Sequence, residues 1–145
     1  MIIKDINYIK DILLKENHSI VILKKDASVV TSVDRGVLPL IKLLKEDKLQ
    51  LQDSIIADKV VGKAAALLMI YGGVKEVFCP VISTPAIQVF NNNNVKINYD
   101  KEVERIINRK SDGLCPMETL CLEINNPEEA FDKILEKLEN KKETI

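Results

Sequence analysis

The segment between residues 58 and 71 constrains this chain more than any other. Val60, Val61, Ala64, Ala65, Leu67 and Leu68 cover most of the circumference of a helix, and Gly72-Gly73 supplies its stop. A helix that is apolar nearly all round has no face to offer water, so it belongs at the centre of the molecule with other elements packed around it. Asp53 or Asp58, both of an ordinary N-cap type, marks its start. With 145 residues, the chain is the size of one domain with one hydrophobic core, and no linker divides it.

Other elements follow from periodicity and punctuation. Ile6, Ile9, Ile12 and Leu13 recur at helical spacing after Asp5, which predicts an amphipathic helix ending near residues 16–17. Residues 19–23 and 28–32 are short β-branched runs joined by a polar turn, which predicts an antiparallel hairpin. Val37, Leu40, Ile41 and Leu44 predict a second helix, with Pro39 tolerated in its first turn. Beyond the central helix, residues 76–82 read as a buried strand, and Thr84-Pro85 as an N-cap and first position of a helix through Phe90. A turn at 91–94 leads to a strand at 95–99 and a helix or helical turn over 101–109, with Val103, Ile106 and Ile107 inward. Cys115-Pro116-Met117-Glu118 starts another helix. Pro127 opens the last, which buries Phe131, Ile134, Leu135 and Leu138 and gives way to a fraying tail after about residue 139.

Charge and composition exclude several functions. Lysine plus arginine number 21 against 22 acidic residues, so the chain lacks the basic excess with which nucleic-acid binders neutralise phosphates. Aromatic residues make up 4%, with no Trp, which removes the stacking platform used for single strands. No run approaches the roughly 18 apolar residues of a membrane span. The three cysteines are odd in number, and residues 1–6 carry no basic, then apolar, leader pattern. A cytoplasmic protein with reduced thiols, bound to neither nucleic acid nor membrane, is the expectation.

Three stretches carry a family resemblance: Asp34-Arg35-Gly36-Val37-Leu38-Pro39-Leu40, Asp58-Lys59-Val60-Val61-Gly62-Lys63-Ala64-Ala65-Ala66, and Leu114-Cys115-Pro116-Met117-Glu118. Together they resemble the DUF1893, or TM1506-like, family of uncharacterised proteins, over nearly the whole chain. The resemblance implies an α/β architecture of the cytidine-deaminase-like kind, with three αβα layers and a mixed sheet of four to five strands. Active zinc deaminases place His-Ala-Glu or Cys-Ala-Glu at the start of the central helix and Pro-Cys-x-x-Cys at the next. Here the matching positions read Ala57-Asp58-Lys59-Val60 and Ser83-Thr84-Pro85-Ala86-Ile87-Gln88. A zinc site needs three ligands and an open position. Only one histidine, His18, is present, and a set of Asp58, Cys79 and Cys115 would be an unorthodox substitute, so neither metal nor cofactor is expected.

The remaining candidates have both a chemical and a plain reading. Cys115 at a helix N-cap meets unpaired amides that favour thiolate, although a helix start needs no such chemistry. Glu118, three residues on, fits the reciprocal half of a capping box. Asp58 at the start of the central helix can hydrogen-bond an amine or amide, or can simply cap. Lys63 can neutralise an anion or remain solvated. Gly62 inside a helix is costly and often permits the close approach of another group, by helix packing or otherwise. Gly62-Lys63 lacks the upstream glycine and the Ser or Thr of a phosphate loop. Arg35 can grip a carboxylate or phosphate as a fork, or lie solvated in a turn. Cys79 and Cys121 read as core residues, and His18 as a cap of the first turn.

Three functions are consistent with this pattern. The leading expectation is a small-molecule-binding or regulatory protein, with ligand contacts from Asp58, Lys63, Arg35, Glu118 and Cys115 and a nucleoside-like ligand implied by the scaffold alone. The alternatives are a metal-independent enzyme with Cys115 as nucleophile and Asp58 or Glu118 managing protons, and an oligomeric structural module.

Overall fold

A computed structural model describes residues 3–107 and 115–143 of the chain. Helix α1 (Ile6–Lys15) starts where Asp5 accepts a hydrogen bond from the Tyr8 N–H at 3.1 Å, and it buries Ile9 and Leu13. Strands β1 (Ile20–Leu23) and β2 (Val29–Ser32) form the expected antiparallel hairpin. Helix α2 (Leu38–Glu46) follows with Pro39 in its first turn, and a 3-10 turn (Lys48–Leu51) leads back to the sheet. Next come β3 (Ile55–Asp58), β4 (Val60–Val61), α3 (Lys63–Gly72), β5 (Glu76–Ser83), α4 (Thr84–Asn92), β6 (Lys96–Val103), α5 (Pro116–Cys121) and α6 (Pro127–Glu143).

The central helix therefore starts later than its sequence predicts. Neither Asp53 nor Asp58 caps it. Residues 55–58 are a strand held between antiparallel β1 and parallel β5, and the helix starts after Gly62. Periodicity cannot distinguish a short continuous apolar run as strand or helix, and here β-branched Ile55, Ile56, Val60 and Val61 favour the strand. The other end is as expected, with Gly73 in the left-handed region at φ 80°.

Six strand segments make a sheet five strands wide. β6 pairs with β5 in parallel along its whole length, so β3 and β4 share the opposite edge of β5, in series. Asp58-Lys59 marks the break between them. Strand β6 continues to Val103 where a helical turn was expected over 101–109, because the β5 edge offers it backbone partners that far. Ile107 is 59% exposed rather than inward, and residues 108–109 lie outside the described part. The N-cap of α4 is Ser83, one residue before the expected Thr84, with its hydroxyl accepting from the Ala86 N–H. Helix α6 runs to Glu143, past the expected limit near 139.

Alternation along the strands sorts the core into two faces. Ile20, Ile22, Ile56, Val77 and Cys79 join the cluster formed with α2, α3, α4 and α6, whereas Val21, Leu23, Ala57 and Phe78 pack under α1 with Ile9 and Leu13. Helix α3 is buried from Lys63 through Met69, as its lack of a polar face requires.

Candidate functional site

The β3–β4 break puts Asp58 and Lys59 at the carboxyl end of a central strand, where open α/β sheets hold their ligands. A cleft of about 600 Å³ opens there, within the range of small-molecule sites. Asn17 and His18 between α1 and β1, and Arg35-Gly36 after β2, form one side of it. Ile106 and Ile107 after β6, with Cys115, Met117 and Glu118 at the start of α5, form the other. A hydrogen bond of 3.1 Å from the Cys115 N–H to the Ile106 carbonyl ties the second wall together.

At the floor, Asp58 is 7% exposed. Burial pushes its carboxyl up to about 8, eased only by the Val60 N–H. Near neutral pH this group is a carboxylic acid, able to donate as well as accept, and it does not cap the central helix. It neighbours the buried Cys79 thiol, whose own ionisation is pushed up to about 12 by burial and then by the Asp58 charge. Burial likewise raises Cys121 to about 11. Both are core thiols, as expected, while Cys115 is half-buried on the cleft wall and makes no capping hydrogen bond through its side chain.

Glu118 does not close a capping box on its own helix. Its two carboxylate oxygens accept from the Lys63 N–H at 2.9 Å and the Ala64 N–H at 3.1 Å, so it caps α3 from 55 residues away. An anion at a helix N-terminus is favoured by the free amides and by the dipole. The arrangement explains Gly62: a Cβ there would meet the Glu118 carboxylate oxygen at 2.2 Å. Lys63 is buried rather than solvated, and its ammonium donates to the Leu122 carbonyl at 3.0 Å at the end of α5. Helices α3 and α5 thus cap one another through Glu118 and Lys63.

A family model described as TM1506, a domain of unknown function (DUF1893), matches residues 8–138. The chain belongs to the DUF1893 family. A solved DUF1893 family protein (TM1506) from Thermotoga maritima shares 30% identity at a TM-score of 0.78, over 88% of this chain and 85% of that one. No curated protein matches.

Of the residues singled out by sequence in this DUF1893 chain, Asp58, Arg35, Cys115 and Glu118 converge on the cleft, whereas Lys63 turns away from it to Leu122. His18 also lines the cleft and does not cap the first turn. Its Nε2 lies 2.7 Å from a carboxylate oxygen of Glu16. Lys59, Val33, Val60 and Met117 were not singled out for the site, and only their placement around the strand break reveals them. Among the described residues, no three His, Cys, Asp or Glu side chains form a group that could hold a metal ion, so Asp58, Cys79 and Cys115 do not assemble one. The corrected start of α3, Val61-Gly62-Lys63-Ala64, also carries no His-Ala-Glu or Cys-Ala-Glu. No helix among the described residues is long and apolar enough to cross a membrane.

Proposed function

We propose that this DUF1893 protein is a small-molecule-binding or regulatory domain, built on a deaminase-like scaffold without zinc-deaminase motifs, whose ligand enters the cleft above Asp58. The observation that carries this reading is Asp58 itself: a carboxyl group buried at the floor of a cleft with one backbone N–H for company. A buried polar group with so little compensation costs stability, and perturbed carboxyls in clefts concentrate at functional sites. A nucleoside-like ligand is the expectation that the scaffold analogy adds.

A thermal-shift screen of nucleosides, nucleotides and amino acids tests the reading. The expected result is stabilisation by a cleft ligand that disappears in Val60→Trp, which fills the mouth from an exposed position on β4. Ligands whose effect survives both Val60→Trp and Asp58→Asn would bind elsewhere and sink it.

One observation favours a second reading, a metal-independent enzyme with Cys115 as nucleophile: of the three thiols, only Cys115 lines the cleft that holds Asp58. Asp58 is the better placed proton carrier, since both oxygens of Glu118 are occupied in capping α3.

A further inference from the structure

Three helix N-termini border the cleft, those of α2, α3 and the six-residue α5, and the two longer ones differ. That of α3 is filled by the Glu118 carboxylate. That of α2 has no side-chain cap: Val37 stands at the N-cap position, and Gly36-Val37 line the cleft. The nine-residue α2 therefore presents first-turn amides, less the one Pro39 lacks, beside the cleft.

Two cations stand at the same mouth. Arg35 and Lys59 are exposed, line the cleft and have no ion-pair partner among the described residues. The acidic neighbour of Arg35, Asp34, is engaged by Lys42 at 3.0 Å, and both oxygens of Glu118 are already taken by the Lys63 and Ala64 amides. With Asp58 held as the neutral acid, the free charge in the cleft is positive. Around the two cations Val33, Val37, Val60, Ile106, Ile107 and Met117 supply an apolar wall, buried at Val37 and open to solvent at Val33, Val60 and Ile107.

Resting on the cleft reading above, we infer that the ligand is a small organic phosphomonoester. Its phosphate sits at the uncapped start of α2 between Arg35 and Lys59, its body lies against the apolar wall, and a polar atom of that body meets Asp58. Two free cations and a helix N-terminus match the roughly −1.5 to −2 charge and three acceptor oxygens of a phosphomonoester near neutral pH better than they match a monoanion. The buried Asp58 carboxyl is the independent sign that the ligand reaches past the phosphate.

The test compares pairs that differ only in the phosphate: uridine 5′-monophosphate with uridine, and phenyl phosphate with phenol, with inorganic phosphate alone alongside. Binding to the full chain is followed by calorimetry and by amide chemical shifts. The expected result is at least tenfold tighter binding of the phosphorylated member of a pair, with shifts at Gly36, Lys59 and Cys115, and loss of that advantage in Arg35→Gln/Lys59→Gln. Uridine or phenol binding in the cleft as tightly as its ester would overturn the inference while leaving the cleft reading intact. Inorganic phosphate binding as tightly as the esters would overturn it too, because the apolar wall would then contribute nothing. No cleft shifts with any of the five probes would count against both the inference and the reading it rests on.

Discussion

Replacing Gly62 by Ala tests the contact that shapes the cleft. The new Cβ would lie 2.2 Å from one Glu118 carboxylate oxygen, 2.6 Å from its carbon and 2.9 Å from Ile106 Cγ1, where ordinary contact starts at 3.4 Å. The oxygen must retreat by more than 1 Å. That displacement breaks the bonds of 2.9 and 3.1 Å to the Lys63 and Ala64 amides. Hydrogen bonds to charged groups contribute about 1.5–3 kcal/mol each. Water entering the cleft re-solvates the freed amides, which keeps the loss towards the lower end of that range. Reduced freedom of the unfolded chain returns about 0.4–1 kcal/mol, since Gly62 has the extended φ of −102° that alanine adopts without strain. The net cost is about 2 kcal/mol, or a fall of about 6–8 °C in Tm for a domain of this size.

Urea and thermal denaturation of wild type, Gly62→Ala, Glu118→Ala and the double variant form a cycle. With the carboxylate gone, Gly62→Ala is expected to cost less than about 1 kcal/mol, because only the Ile106 contact remains. An equal cost in both backgrounds would refute the reasoning, as would a wild-type cost below about 0.5 kcal/mol.

Three further outcomes follow from the same geometry. The Asp58 carboxyl ionises near 8 in the folded protein against an ordinary 3.8. Its contribution to stability is therefore full below about pH 4 and is lost as pH rises towards 8, at up to about 1.4 kcal/mol per pH unit. Asp58→Asn removes that slope, so the variant gains on wild type between pH 5 and pH 7.5 in urea titrations, and a constant difference would contradict the assignment. Native protein should react with one equivalent of a thiol reagent, at Cys115, and with three in denaturant. Rapid native labelling that persists in Cys115→Ser would show that Cys79 or Cys121 is more accessible than its burial allows. Lys63→Met should lower stability by about 1 kcal/mol through loss of the bond to Leu122 and leave ligand affinity within twofold, whereas a large loss of affinity would return Lys63 to the site.

Much of this molecule is written locally. Asp5 ahead of the isoleucines, Pro39 in a first turn, Gly72-Gly73 after an apolar run and Pro127 before a helical stripe each act on their immediate neighbours. The helix ends they mark fall where the sequence places them. Cys79 and Cys121 are buried for the same reason, since their strand and helix positions reveal burial. What the tertiary structure decided lies where local signals tie. Residues 55–61 are apolar enough for helix or strand; their β-branched members lean towards strand and the edges of β1 and β5 decide it, which moves Asp58 from a helix cap to the floor of a cleft. Glu118 reads as a local cap or a ligand contact and Lys63 as an anion contact or a solvated lysine, because sequence spacing carries no trace of hydrogen bonds across 55 and 59 residues. Periodicity speaks to which face a residue takes; which distant backbone its side chain meets depends on the packing of α5 against α3.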